Sequence, residues 1–111
     1  DQTVLSTKIN ILHRHCAAVG RDPSSVAITV LDLPVIGTDR EDVGVRVERL
    51  RGRLPAAVYA ARHHAALAID HARRYQELAQ LGVTTIFVAL PDLAGADDLA
   101  RCTPLLAALH G

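Results

Sequence analysis

Apolar and polar positions alternate along the chain in two different rhythms. Leu5, Ile9, Leu12, Cys16 and Val19 fall 4, 3, 4 and 3 residues apart, the spacing of one helix face, and predict a helix over Thr3–Val19. Gly20 is placed to end it in a left-handed cap. The turn "RDPSS" follows, in which Pro23 cannot extend a helix and Asp22 and Ser24 can bond the local backbone. Val26–Leu33, "VAITVLDL", is then a β-branched run of strand length. It is apolar almost throughout, as expected of a strand whose two faces are both covered.

The second half repeats the plan. Pro34–Asp39 reads as a loop, and Thr38 or Asp39 can cap a helix beginning near Arg40. Val43, Val47, Leu50 and Leu54 carry its apolar stripe. The alanine-rich segment Ala56–Ala68 predicts a further helix, and Ile69–Leu81 another, stopped by Gly82. Thr84–Leu90, "TTIFVAL", is the second strand. A last helix over Ala96–Leu109 contains Pro104, which kinks or divides it. The predicted order is α-β-α-α-α-β-α with parallel strands, an α/β chain of one domain spanning residues 1–111.

Charge narrows the partners. Twelve basic and twelve acidic residues leave a formal charge of zero, so there is no electrostatic footprint for a nucleic acid. Aromatic residues make up 3% of the chain, too few for a base-stacking surface. The basic run Arg46–Arg53 reads as the solvated face of a helix. Cys16 and Cys102 fall in helical stripes and read as buried, reduced thiols. No leader and no membrane-length apolar run is evident, so the expected compartment is the cytoplasm. The first residue is Asp1 rather than methionine, as in a processed, trimmed or truncated product.

Three motifs, in order, resemble the late part of the luciferase-like monooxygenase family. The first is "KINILHRHCAAVGRDPSSVAITV" (Lys8–Val30), with Lys8, Leu12, His15, Cys16, Gly20, Arg21, Asp22 and Pro23 at the matching positions. The second, "VERLRGRLPAAVYAARHHA" (Val47–Ala65), is similar to the connecting segment of the deazaflavin-using branch. The third, "RYQELAQLGVTTIFVALPDL" (Arg74–Leu93), looks like that family's closing helix and last strand. One departure is Ala66–Leu67, where the family commonly has a glycine–threonine pair.

The resemblance implies a partial (β/α)8 TIM barrel, of which this chain would supply the last two strands. It also implies redox chemistry on FMN or a deazaflavin coenzyme in the full-length protein. A whole barrel takes ~250 residues, so the chain alone is expected to bind no cofactor and to be inactive. Barrel sites lie beyond the strands' C-terminal ends. Asp32 and Asp92 are therefore the rim candidates, and Arg62, His63 and His64 the cofactor-binding candidates. Arg62 can pair with a phosphate or carboxylate, and a histidine can exchange a proton near neutral pH. The histidine spacing matches no metal site. There is no glycine-rich phosphate loop and no G-x-S-x-G. The alternative is a non-enzymatic oligomeric α/β module derived from that family. Two apolar strands with open edges predict self-association, as a dimer or higher oligomer.

Overall fold

Helix α1 spans Gln2–Ala18, with Ile9 and Cys16 buried and Leu5 and Leu12 half-buried. The computed structural model describes residues 2–110. Gly20 takes φ +73°, and the Arg21 N–H donates to the Cys16 carbonyl at 2.8 Å. This closes the helix with a left-handed residue that glycine adopts without strain. The same device recurs at the end of α4 (Ala68–Gln80), where Gly82 takes φ +109° and the Val83 N–H donates to Leu78 O at 3.1 Å.

Between α1 and α4 lie β1 (Thr29–Asp32), β2 (Ile36–Gly37), α2 (Arg40–Leu50), α3 (Ala56–Arg62) and β3 (Ala66–Leu67). After α4 come β4 (Thr85–Val88), a 3-10 segment Ala96–Cys102 and α5 (Thr103–His110). The chain is thus an α/β fold, mostly helical, with short parallel strands. β1 pairs with β4, Leu31 opposite Phe87 and Asp32 opposite Val88. β2 pairs with β3, Ile36 opposite Ala66.

Four sequence expectations change. The first strand pairs only over four residues, because its partner β4 is four residues long. Only one face of the β1–β4 pair is covered. Val30 and Ile86 pack into the core with Tyr75, Leu78, Val83, Cys102 and Leu105, whereas Leu31 and Phe87 remain 66% and 60% exposed. The expected helix Ala56–Ala68 stops at Arg62. His64 then takes φ +48° and turns the chain, so that Ala66–Leu67 joins β2 as a strand. The segment read as a loop, Pro34–Asp39, therefore contains a strand that is fully buried at Val35 and Ile36. The last helix is divided at Pro104 as expected, since proline suits the first turn of α5 and no interior position.

A second apolar cluster holds α2 and α3 over β2 through Val35, Val47 and Tyr59. Gly37 lets α2 approach. A Cβ there would lie 2.5 Å from Val43 Cγ2 and 2.7 Å from the Val43 nitrogen, and backbone cannot yield as a side chain can. Gly37→Ala is expected to cost about 1–3 kcal/mol. A lowered urea midpoint with unchanged slope would be the signature.

Candidate functional site

The C-terminal end of β1 carries a polar network that joins it to α4. α4 presents His71, Arg74, Tyr75 and Leu78 at three- and four-residue spacing, one face of the helix. Leu78 and Tyr75 enter the core, which draws the polar groups beside them against β1. Asp32 accepts Arg74 Nη2 at 2.5 Å and the Tyr75 hydroxyl at 2.5 Å, with Arg74 Nη1 at 3.4 Å. Arg74 Nη2 lies 2.9 Å from His71 Nδ1, and His71 Nε2 lies 3.1 Å from the Val35 carbonyl.

These contacts assign the His71 tautomer. A carbonyl accepts only, so Nε2 carries the proton; a guanidinium donates only, so Nδ1 offers its lone pair. A second proton on the ring would point at a cation. Burial first, then Arg74, push the His71 pKa below its ordinary value, against the opposing pull of the Val35 carbonyl. Burial also works against the Asp32 charge, but the bonds from Arg74 and Tyr75 outweigh it, and the carboxyl is held below its usual value. The Tyr75 hydroxyl is pushed up by burial and by its bond to Asp32. The network is thus a neutral imidazole, a guanidinium, a carboxylate and a protonated phenol, all mutually satisfied.

The three consecutive cofactor candidates separate. Arg62 stands exposed on the last turn of α3. His63 turns inward, donating Nδ1–H to the Leu33 carbonyl at 2.7 Å and stacking on Tyr59 at 4.3 Å. Its own carbonyl accepts the Val35 N–H at 3.1 Å, so side chain and backbone both tie α3 to the segment after β1. His64 alone reaches the polar network. It lines two adjoining concavities, about 250 and 460 Å³, and shares both with Arg74. Asp32 borders the smaller one and His71 the larger. Burial and Arg74 lower the His64 pKa, which favours the neutral ring.

Asp92 lies in a different network. Its Oδ2 accepts Arg46 Nη1 at 2.7 Å and its Oδ1 accepts Arg101 Nη2 at 2.5 Å. Arg46 also reaches Asp42 at 2.9 Å, and Arg101 reaches Asp98 at 2.9 Å. The result is an alternating chain of charges joining α2 to the loop after β4. Arg46 is therefore half-buried between two acids rather than part of a solvated face. Arg101 is buried, and its Nε has no partner. Both cysteines are free and buried, and burial pushes the Cys102 thiol up. Among the described residues no cluster of histidine, cysteine and carboxylate groups could hold a metal ion, and no helix is long and apolar enough to cross a membrane.

Sequence reasoning missed Arg74, Tyr75 and His71 as one unit. Their signal was present as polar residues on the buried stripe of α4. Arg46 and Arg101 carried no such signal, because their shared partner Asp92 is 46 positions from one and 9 from the other. Compared with models of known protein families, with curated proteins and with solved structures, the chain matches none.

Proposed function

We propose that this chain is the C-terminal, barrel-closing part of a luciferase-like flavin- or deazaflavin-dependent oxidoreductase. The observation that carries this reading is the one-sided sheet. β1 and β4 are parallel neighbours with α4 on one face and, among the described residues, no element on the other. Two adjacent staves of a (β/α)8 barrel have this form, with helices outside and layered side chains inside. The polar residues also gather at the C-terminal end of β1, where barrel sites are built.

FMN or a deazaflavin would supply hydride chemistry when bound. The described residues would offer such a cofactor one edge at most, since His64 lines both concavities and Arg62 neither. Arg62 is the exposed cation that would meet a phosphate or carboxylate. His64 is the imidazole facing the concavities and would hold a proton there. His63 would position this pair, because its ring is already committed to Leu33 O. Asp32 and Asp92 would shape the rim through Arg74 and through Arg46 and Arg101.

In the full-length enzyme Arg62→Ala is expected to weaken cofactor or substrate binding by roughly 10- to 100-fold, the worth of one charge-assisted contact. A lowered melting temperature with unchanged kinetics would make Arg62 structural and remove it from the site. The pure chain of 111 residues is expected to reduce no flavin or deazaflavin, and saturable cofactor reduction by it would overturn the reading.

A second reading is a non-enzymatic oligomeric module of the same ancestry. Both oxygens of Asp32 and both of Asp92 are already bonded to arginine, which leaves these carboxylates little to offer a substrate. Absorbance and fluorescence titration with FMN and with a deazaflavin separates the two readings in the full-length protein: tight binding supports the oxidoreductase and its absence the module. Either reading suits the cytoplasm, where Cys16 and Cys102 stay reduced.

A further inference from the structure

We propose that the cleft between the start of α4 and the 3-10 segment Ala96–Cys102 binds a small uncharged carbonyl compound through Arg101. The cleft measures about 350 Å³, at the small end of the range for ligand sites. Its wall includes Gly37 and Thr38 at the end of β2, Leu67 and Ile69 at the start of α4, and Arg101 and Pro104 from the C-terminal elements. It shares no residue with the His64–Arg74 concavities. It also takes none from β1 or β4, so the proposal goes beyond both readings above and depends on neither.

Arg101 carries the inference. Its side chain is only 4% exposed. Nη1 donates to Asp98 at 2.9 Å and Nη2 to Asp92 at 2.5 Å. Nε is buried and has no partner. A buried donor that the protein leaves open is met by a bound water or ligand. Arg101 borders the cleft, and the cleft is where such an acceptor enters. The start of α4 adds further donors on the same wall. The first N–H groups of a helix have no partner within it. Leu67 holds the cap position of this helix of 13 residues and has no side-chain oxygen to offer them.

The ligand's chemistry follows from what is already paired. Asp92 and Asp98 balance the Arg101 charge. Asp70 turns its carboxylate to the Leu67 N–H at 3.4 Å, against the positive end of α4. An anion would meet these carboxylates with no cation left to offset them, so phosphate and carboxylate ligands are disfavoured. What remains is N–H donors without charge to spare, which suit an uncharged oxygen. Thr38 commits its N–H and its hydroxyl to Asp42 at 2.9 and 3.3 Å. A ligand hydroxyl would bring a proton in need of an acceptor, and Leu67, Ile69 and Pro104 offer none. A carbonyl brings only lone pairs. The same three apolar side chains cover the rest of the ligand, and Ile69, 52% exposed, gains the most from being covered.

NMR titration of the nitrogen-15-labelled chain with cyclopentanone, read at the Arg101 Nε–H, tests this. A saturable shift is expected, with a Kd of roughly millimolar order, as a ligand of so few atoms allows. Cyclopentane has the same shape without the oxygen and is expected to bind more than ~10-fold more weakly, the worth of one hydrogen bond from a charged donor. Acetate is expected to leave the resonance in place. Ile69→Trp fills the cleft without touching the Arg101 ion pairs and is expected to weaken cyclopentanone binding by more than ~10-fold. Its position is exposed, so far-UV circular dichroism should be unchanged. Absence of a saturable cyclopentanone shift in the parent chain would overturn the proposal, leaving Nε to a water molecule. Equal binding of cyclopentane would overturn it as well, because the cleft would then be an apolar hollow that ignores Arg101. Tighter binding of acetate would replace it with an anion site. A cyclopentanone shift undiminished in Ile69→Trp would place the ligand elsewhere and overturn it too.

Discussion

Asp32→Ala is expected to destabilise the fold by about 3 kcal/mol, a large share of the ~5–15 kcal/mol that holds a domain together. The carboxylate is the common acceptor for Arg74 and the Tyr75 hydroxyl, and the Asp32 and Arg74 side chains are only 13% and 18% exposed. Removing it leaves a guanidinium and a phenol without their partner under α4. Removal of one member of a buried pair costs more than the pair contributes, because the survivor keeps its desolvation penalty. The thermal midpoint should fall by more than about 10 °C, measured at fixed protein concentration. Asp32→Asn should lose less, since the amide oxygen still accepts one bond. A change within about 0.5 kcal/mol for the alanine variant would mean that water reaches Arg74 and that the network is a surface feature.

Acid should destabilise the chain in two stages, and the first belongs to His71. Its folded pKa is depressed, so the folded state resists a proton that the unfolded state accepts near 6.5. Its contribution is therefore complete above 6.5 and is lost as pH falls from there toward the depressed folded value. The slope is about 1.4 kcal/mol per pH unit until the ring protonates in place. His64 acts in the same sense but is exposed, so its share is smaller. Asp32 supplies the second stage. Its contribution is present above 3.8 and is lost as pH falls through its lowered folded value. His71→Gln should remove most of the first stage, leaving the smaller His64 share, and spare the second. A glutamine can still donate to Val35 O and accept from Arg74, but it takes up no proton. Urea denaturation at pH 7.5, 6.5, 5.5, 4.5, 3.5 and 2.5 separates the two. A first stage that survives undiminished in His71→Gln would assign it to another group.

The glycine stops show how much local sequence could decide. Gly20 and Gly82 end their helices where the apolar stripe runs out, because only a residue free of a Cβ takes the left-handed cap easily. The helix stripes and the two β-branched runs placed α1, α2, α4, β1 and β4 for the same reason: the periodicity that buries one face is a property of consecutive residues. Parallel pairing of β1 with β4 also followed from helices lying between them.

Other features arose only when distant segments met. Val35–Gly37 looked like a loop because a two-residue strand has too few positions to show a period. It became a strand when the turn at His64 brought Ala66–Leu67 alongside it. Among the cofactor candidates, adjacent residues at a helix end received different surroundings: Arg62 solvent, His63 the Leu33 carbonyl, His64 the concavities. Asp32 and Asp92 could be placed from sequence near the C-terminal ends of the two strands. Their partners could not, since Arg74 lies 42 positions from Asp32 and Arg46 lies 46 from Asp92.

The sequence by itself determined α1, α2 and α4, the glycine stops of α1 and α4, the two main strands and the neutral charge, all of which depend on neighbours within a few residues. Only the tertiary structure decided which face of the β1–β4 sheet is covered, and which carboxylate meets which arginine. Strand alternation separates two faces but does not say which one a helix will cover. That depends on α4 and α5 packing on Val30 and Ile86, which leaves Leu31 and Phe87 open.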